Sequence, residues 1–134
     1  MSDGWQAYVD NNLMCPLDEA GTTLSSAALA GLEDCSVWAQ SPSFPGFSSE
    51  EIEAVKGIMD GKNPGSFTVG GVKYMVIMSE DPSTKLRGKC KGGGCSICKT
   101  NQALIVGIWQ EPVTASICNK IVEALYEYMI SVDY

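Results

Sequence analysis

The run Phe67-Thr-Val-Gly-Gly-Val-Lys-Tyr-Met-Val-Ile-Met78 reads as two strands, Phe67–Val69 and Val72–Met78, joined at Gly70-Gly71. A two-residue Gly-Gly link supplies the left-handed backbone of a tight hairpin turn, so the two strands pair antiparallel. Working outward, Leu86–Cys90 and Cys95–Lys99 flank a glycine-rich tip at Gly92-Gly-Gly94 and make a second hairpin. Ala103–Gln110 is almost continuous in Ala, Leu, Ile, Val and Trp, the pattern of a strand in the sheet interior. Upstream, Thr22–Leu32 and Cys35–Gln40 read as strands joined by the Glu33-Asp34 turn.

Three helices complete the pattern. Ser2 or Asp3 caps a first helix with Trp5, Tyr8, Val9 and Leu13 on one face, ended by Cys15-Pro16. Ser48-x-x-Glu51 is a capping box opening a helix that buries Ile52, Val55, Ile58 and Met59 and stops at Gly61. Pro112 suits the first position of a last helix striped by Ile117, Ile121, Leu125 and Tyr128 and running to about Val132. Helix, two strands, helix, five strands, helix, with short links, is an α+β domain built on an antiparallel sheet. The chain has 134 residues and shows no repeat or linker, so residues 1–134 are expected to form one domain.

Composition removes several function classes. Histidine is absent, which excludes a histidine general base, imidazole metal sites and Ser-His or Cys-His nucleophiles. No apolar run reaches the roughly 18 residues of a membrane helix, and Met1-Ser-Asp-Gly-Trp5 lacks the features of a secretory signal. A cytoplasmic binding protein is expected, with no catalytic set and no cofactor. The net charge of −7 argues against general nucleic-acid binding. Charge is uneven, however: residues 1–53 carry nine acids and no base, whereas 82–110 carry no acid and Lys85, Arg87, Lys89, Lys91 and Lys99. Such a stripe fits a solvated edge hairpin, an acidic protein partner or a phosphorylated headgroup, and these readings are compatible.

Two constellations carry potential chemistry. Cys90-Lys-Gly-Gly-Gly-Cys95-Ser-Ile-Cys98 is spaced C-x4-C-x2-C, with Cys118 downstream. Reduced thiols at a hairpin mouth are the first reading, then a Cys90–Cys95 disulfide across the tip, then zinc, and an iron–sulfur electron carrier last. The second constellation is aromatic: Trp5 and Tyr8 one helical turn apart, Trp38 in a strand, and Tyr126, Tyr128 and Tyr134 near the C-terminus. Helices from both termini laid side by side on one sheet face would make a shallow aromatic groove of the kind that binds polyproline II segments.

The chain resembles the profilins, and most closely those of plants and green algae. The matching stretches are Trp5-Gln-Ala-Tyr8-Val-Asp10, Leu13-Met-Cys15, Ser36-Val-Trp-Ala-Gln-Ser41, Ser43-Phe-Pro45, Glu50-Glu-Ile52 and Gly70-Gly-Val-Lys-Tyr-Met-Val-Ile77. They continue through Arg87-Gly-Lys89, Lys99-Thr100, Gln102-Ala-Leu104, Gly107-Ile108, Glu111-Pro-Val-Thr114 and Cys118-Asn119. The resemblance implies a central antiparallel sheet with both terminal helices on one face and shorter helical segments on the other. It implies a non-enzymatic, cytoskeleton-associated protein that binds and sequesters actin monomers, takes proline-rich ligands of the formin type, and binds phosphoinositides.

Carried over by residue, the resemblance places the proline-rich site at Trp5, Tyr8, Trp38, Tyr128, Met129 and Tyr134. It places the actin contact at Val76, Arg87, Lys89, Ser96, Cys98, Val113, Thr114, Ser116, Asn119 and Lys120, on a face opposite the proline site. Arg87, Lys89 and Lys91 are the phosphoinositide candidates. The three-cysteine hairpin departs from the plant members, and oxidation at Cys95 or Cys98 is expected to disturb actin binding.

Overall fold

The computed structural model describes residues 3–17, 19, 21–62, 64–77, 81 and 83–132. The chain opens with helix α1 (Asp3–Tyr8), which loosens into a π-helical segment, Val9–Leu13. Strands β1 (Ser26–Gly31) and β2 (Val37–Gln40) follow, then helix α2 (Ser49–Met59). Five strands come next: β3 (Ser66–Val69), β4 (Val72–Ile77), β5 (Lys85–Cys90), β6 (Gly93–Lys99) and β7 (Ala103–Gln110). Helix α3 (Ala115–Ser131) closes the order. All pairings are antiparallel, in one seven-stranded sheet ordered β2-β1-β7-β6-β5-β4-β3. The expected element order is the observed one, and β7 is paired on both edges.

The hairpin at Gly70-Gly71 forms as the sequence dictates, with φ of 61° and 83° at the two glycines. It is also pinned from outside. Glu51 completes the capping box with Ser48, and its carboxylate accepts the Gly70 and Gly71 N–H groups at 3.0 Å each.

Other boundaries move. The Thr22–Leu32 strand shrinks to Ser26–Gly31. The second strand starts at Val37 because Cys35 sits at φ 51°, a left-handed conformation that interrupts extended chain. Met78 and the proposed Ser2 cap lie outside the described residues. Pro112 does not start α3; it follows a cis peptide bond in the turn before it, and Thr114 is the cap, its Oγ1 accepting from Ile117 N–H at 3.3 Å.

The glycine tip is the most informative correction. Only Lys91 and Gly92 form the β5–β6 turn, while Gly93 and Gly94 are strand residues. A Cβ on Gly93 would stand 2.4 Å from the Trp109 carbonyl oxygen, and one on Gly94 2.9 Å from the Trp109 Nε1. These glycines therefore make room for β7 and its indole rather than for a turn. Register follows: Cys90 faces Gly93 and Cys95 faces Gly88, so Cys90 and Cys95 are not cross-strand partners.

Two apolar layers sandwich the sheet. On one side α2 buries Ile52 and Val55 with Phe44, Phe67, Tyr74 and Ile97. On the other, the helices of both chain ends bury Val9, Leu13, Val122, Leu125 and Met129 against Leu29, Ile105 and Trp109. The α3 stripe is rotated from the expected one. Cys118, Val122, Leu125 and Met129 face the sheet, while Ile117 and Tyr128 are 41% and 48% exposed.

Candidate functional site

The aromatic residues converge. One turn of α1 places Trp5 beside Tyr8, ring centroids 5.9 Å apart and edge-on. Trp38 reaches Trp5 from β2 at 4.8 Å, and Tyr128 reaches Tyr8 from α3 at 6.0 Å. The rings thus form one strip, Trp38–Trp5–Tyr8–Tyr128, across three elements. Gln6 Nε2 locks α1 to β2 by donating to the Gln40 carbonyl at 3.0 Å and to Asp10 Oδ1 at 3.0 Å. Trp38 is held by its indole N–H, which donates to Asp34 Oδ2 at 3.4 Å. The ring lies where Gly31 leaves space: a Cβ there would be 2.6 Å from Nε1. Hydrogen bonds from Ser36, and then from Trp38, hold the Asp34 carboxyl below its usual range.

Of the proline-site candidates, Trp5, Tyr8, Trp38 and Tyr128 come together at the surface. Met129 is fully buried in the core against which Trp5, Tyr8 and Trp38 pack, so it floors the strip rather than lining it. Tyr134 lies outside the described residues. Beyond Trp38 the strip opens into a cleft of about 500 Å3 lined by Leu32, Glu33, Asp34, Trp38, Asn101 and Gln102.

The basic residues gather on the other flank of α3. Glu123 is the hub: Arg87 Nη2 donates to its Oε2 at 2.7 Å and Lys85 Nζ lies 3.7 Å from its Oε1. Lys89 stands over the Trp109 ring, 5.5 Å from its centroid. Across the strand pair, Met75 faces Lys89 and Ile77 faces Arg87, 56% and 43% exposed. Exposed Thr114, Ser116 and Lys120 and half-buried Asn119 lie on the first turns of α3.

Four actin candidates sit elsewhere than expected. Val76 turns to the α2 side, against that core, so Met75 and Ile77 are the β4 residues that share a surface with Arg87 and Lys89. Ser96, Cys98 and Val113 are buried and present no contact surface. Nor are the two candidate surfaces on opposite sides of the sheet. Arg87 and the aromatic strip lie on the same side, with α3 between them. Met75, Ile77 and Glu123 were missed by sequence reading. For Met75 and Ile77 the signal was Lys73: a lysine at an odd position of β4 marks the odd residues as the outward ones, whereas Glu123 on α3 had no such local signal.

The thiols separate. All six cysteines are free. Cys95 packs in the α2-side core and Cys98 in the α3-side core, as strand residues three apart must. That geometry rules out the cluster-binding loop, because Cys90, Cys95 and Cys98 cannot turn their sulfurs to one point. Burial pushes the thiols of Cys98 and Cys118 up to about 12, and that of Cys95 well above its ordinary value. These buried thiols are poor nucleophiles, so selective oxidation of Cys95 or Cys98 in the folded protein is not supported. Among the described residues no group of three or more acidic or thiol side chains is placed to hold a metal ion, and no helix is long and apolar enough to cross a membrane.

Comparison with known proteins follows the same architecture. The profilin family model matches residues 3–134. Acanthamoeba castellanii profilin Ib is 28% identical, with a TM-score of 0.82, covering 97% of this chain and 99% of its own. Schizosaccharomyces pombe profilin gives the same identity, TM-score and coverage. Mouse profilin IIa, solved in complex with a double repeat from the FH1 domain of mDia1, is 26% identical with a TM-score of 0.74, covering 98% and 99%.

Proposed function

Since the chain belongs to the profilin family, we propose that it binds monomeric actin and proline-rich proteins such as formins, and so regulates actin assembly. The observation that carries this reading is the strip Trp38–Trp5–Tyr8–Tyr128. Flat prolyl rings stack on such a surface, and a polyproline II segment arrives already extended, so little entropy is lost on binding. The chain's overall likeness to a relative solved with an FH1 repeat supports the same ligand class.

Actin, an acidic protein, is assigned to the basic flank. Arg87 and Lys89, exposed Met75 and Ile77, and the α3 residues Thr114, Ser116, Asn119 and Lys120 form the contact surface. Ser96, Cys98 and Val113 shape it from beneath. Charge complementarity there governs register and association rate. Holding both partners at once raises the effective concentration of actin near a proline-rich assembly factor. Phosphoinositides compete on the same flank through Arg87, Lys89 and Lys91, of which Arg87 is already paired with Glu123. The protein works in the cytoplasm with the cytoskeleton, and its likeness to plant and green-algal profilins rests on the motifs quoted above.

The test is tryptophan fluorescence of the reduced protein titrated with poly-L-proline, followed by assembly kinetics of pyrene-labelled actin. A saturable fluorescence change together with slowed spontaneous assembly is the expected result. A folded protein that shows neither would overturn the assignment.

A further inference from the structure

We propose that the cleft beyond Trp38 receives a lysine or arginine side chain that flanks the proline run of a ligand lying on the aromatic strip. The inference rests on the proline-rich reading of that strip and adds a specificity pocket to it. Trp38 belongs to both surfaces: its ring stands 4.8 Å from Trp5 and its indole lines the cleft. A polyproline II segment of about six residues, rising roughly 3.1 Å per residue, runs the strip from Tyr128 to Trp38. The next residue then falls at the cleft mouth.

The chemistry of the cleft fits a cation. Glu33 and Asp34, both exposed, supply two carboxylates; Trp38 supplies an indole; Asn101 and Gln102 supply amide oxygens. Carboxylates attract an ammonium or guanidinium group, an aromatic ring accepts it on its face, and amide oxygens take the remaining N–H donors. The walls are braced: Leu32 N–H donates to the Gln102 carbonyl at 3.0 Å, tying the 31–34 turn to the turn before β7. Lys56 touches the same turn but donates to the Leu32 carbonyl at 2.5 Å and does not line the cleft. No base occurs anywhere in residues 1–53, which supply Trp5, Tyr8, Trp38 and both carboxylates. A basic flank is therefore favoured here and an acidic one repelled.

The experiment compares decaproline with decaproline bearing one lysine, or one glutamate, at either end, titrated at low ionic strength against the wild type and Glu33→Lys. Asp34 is left intact because it holds Trp38. Lysine at one end only is expected to tighten binding about threefold, the effect of an exposed ion pair or two. In Glu33→Lys decaproline should bind unchanged, while the preference for a lysine flank disappears, because the new ammonium offsets the remaining Asp34 carboxylate. A lysine preference that is absent, equal at both ends, or unaltered by Glu33→Lys overturns the pocket, since general attraction to an acidic protein would then account for it. Failure of decaproline itself to bind overturns the reading of the strip, and the pocket with it.

Discussion

The two flanks of α3 are built on different physics. On one side four rings from three elements touch at 4.8–6.0 Å, and the surface is apolar with polar edges. On the other, cations are spread over β5 and partly neutralised by one carboxylate, Glu123. A ring surface binds by area and shape, so its affinity should be concentrated in a few side chains and indifferent to salt. A charged surface acts over a Debye length and spreads its effect over many residues, each worth little. One helix serves both, presenting Tyr128 to the rings and Glu123 to the bases.

The largest effect is expected beneath both flanks, in the thiol layer under α3. Cys98 and Cys118 are raised to about 12 by burial, whereas in the unfolded chain they titrate near 9. A raised folded value means that the native state keeps its protons after the unfolded state has lost them. The stabilisation is complete below about pH 9 and drains away as pH rises toward 12, at about 1.4 kcal/mol per pH unit for each thiol. Urea midpoints from pH 8 to 10.5 should fall accordingly, and less steeply in Cys98→Ala. A flat profile would mean that the thiols are not sealed beneath the helix.

Next comes the ring flank. Trp5→Ala removes the residue that touches both Trp38 and Tyr8, cutting the strip in two. Poly-L-proline affinity should drop about 30-fold, the cost of a central aromatic anchor, with actin binding unchanged. On the basic flank Lys89→Glu should weaken actin binding about fivefold, chiefly in association rate and only at low salt, and leave proline binding intact. Equal damage to both ligands from either change, in folded protein, would erase the distinction between the flanks.

The same contrast explains what the sequence could reveal. Trp5 and Tyr8 sit one helical turn apart, and their meeting on one helix face follows from that spacing alone. The capping box and the Gly-Gly hairpin are likewise local chemistry and formed as written. The rotation of α3 is not local. Ile117, Ile121, Leu125 and Tyr128 have as good a helical period as Cys118, Val122, Leu125 and Met129. What selects the second set is Gly107 on β7, where a Cβ would lie 2.6 Å from Val122 Cγ2 and 3.3 Å from Cys118 Sγ. A notch in one strand thus chooses the helix face, and only the tertiary fold shows it. Gly93 and Gly94 misled for the same reason, because the need for glycine there came from the neighbouring strands. Actin candidates suffered most, since the inward or outward sense of β4 and β6 decides which of Val76, Met75, Ser96 and Cys98 can meet a partner.

The smallest expected effect probes the division most finely. Glu123 is 23% exposed, takes Arg87 at 2.7 Å and lies 3.7 Å from Lys85, so it holds down part of the positive charge on its own flank. The Arg87 Nε is buried and has no partner among the described residues, so the guanidinium depends on Glu123 for its fixed position. Glu123→Gln therefore has two opposed consequences. Net positive charge on the flank rises, which speeds encounter with an acidic partner by about twofold. Arg87 also loses its charged anchor, which costs order at the contact and raises the dissociation rate. Association and dissociation rates measured separately for actin should both increase, leaving the equilibrium affinity nearly unchanged, while poly-L-proline titrations overlay those of the wild type. A change in proline affinity would show that α3 transmits a charge change across its width, making the two flanks one coupled site.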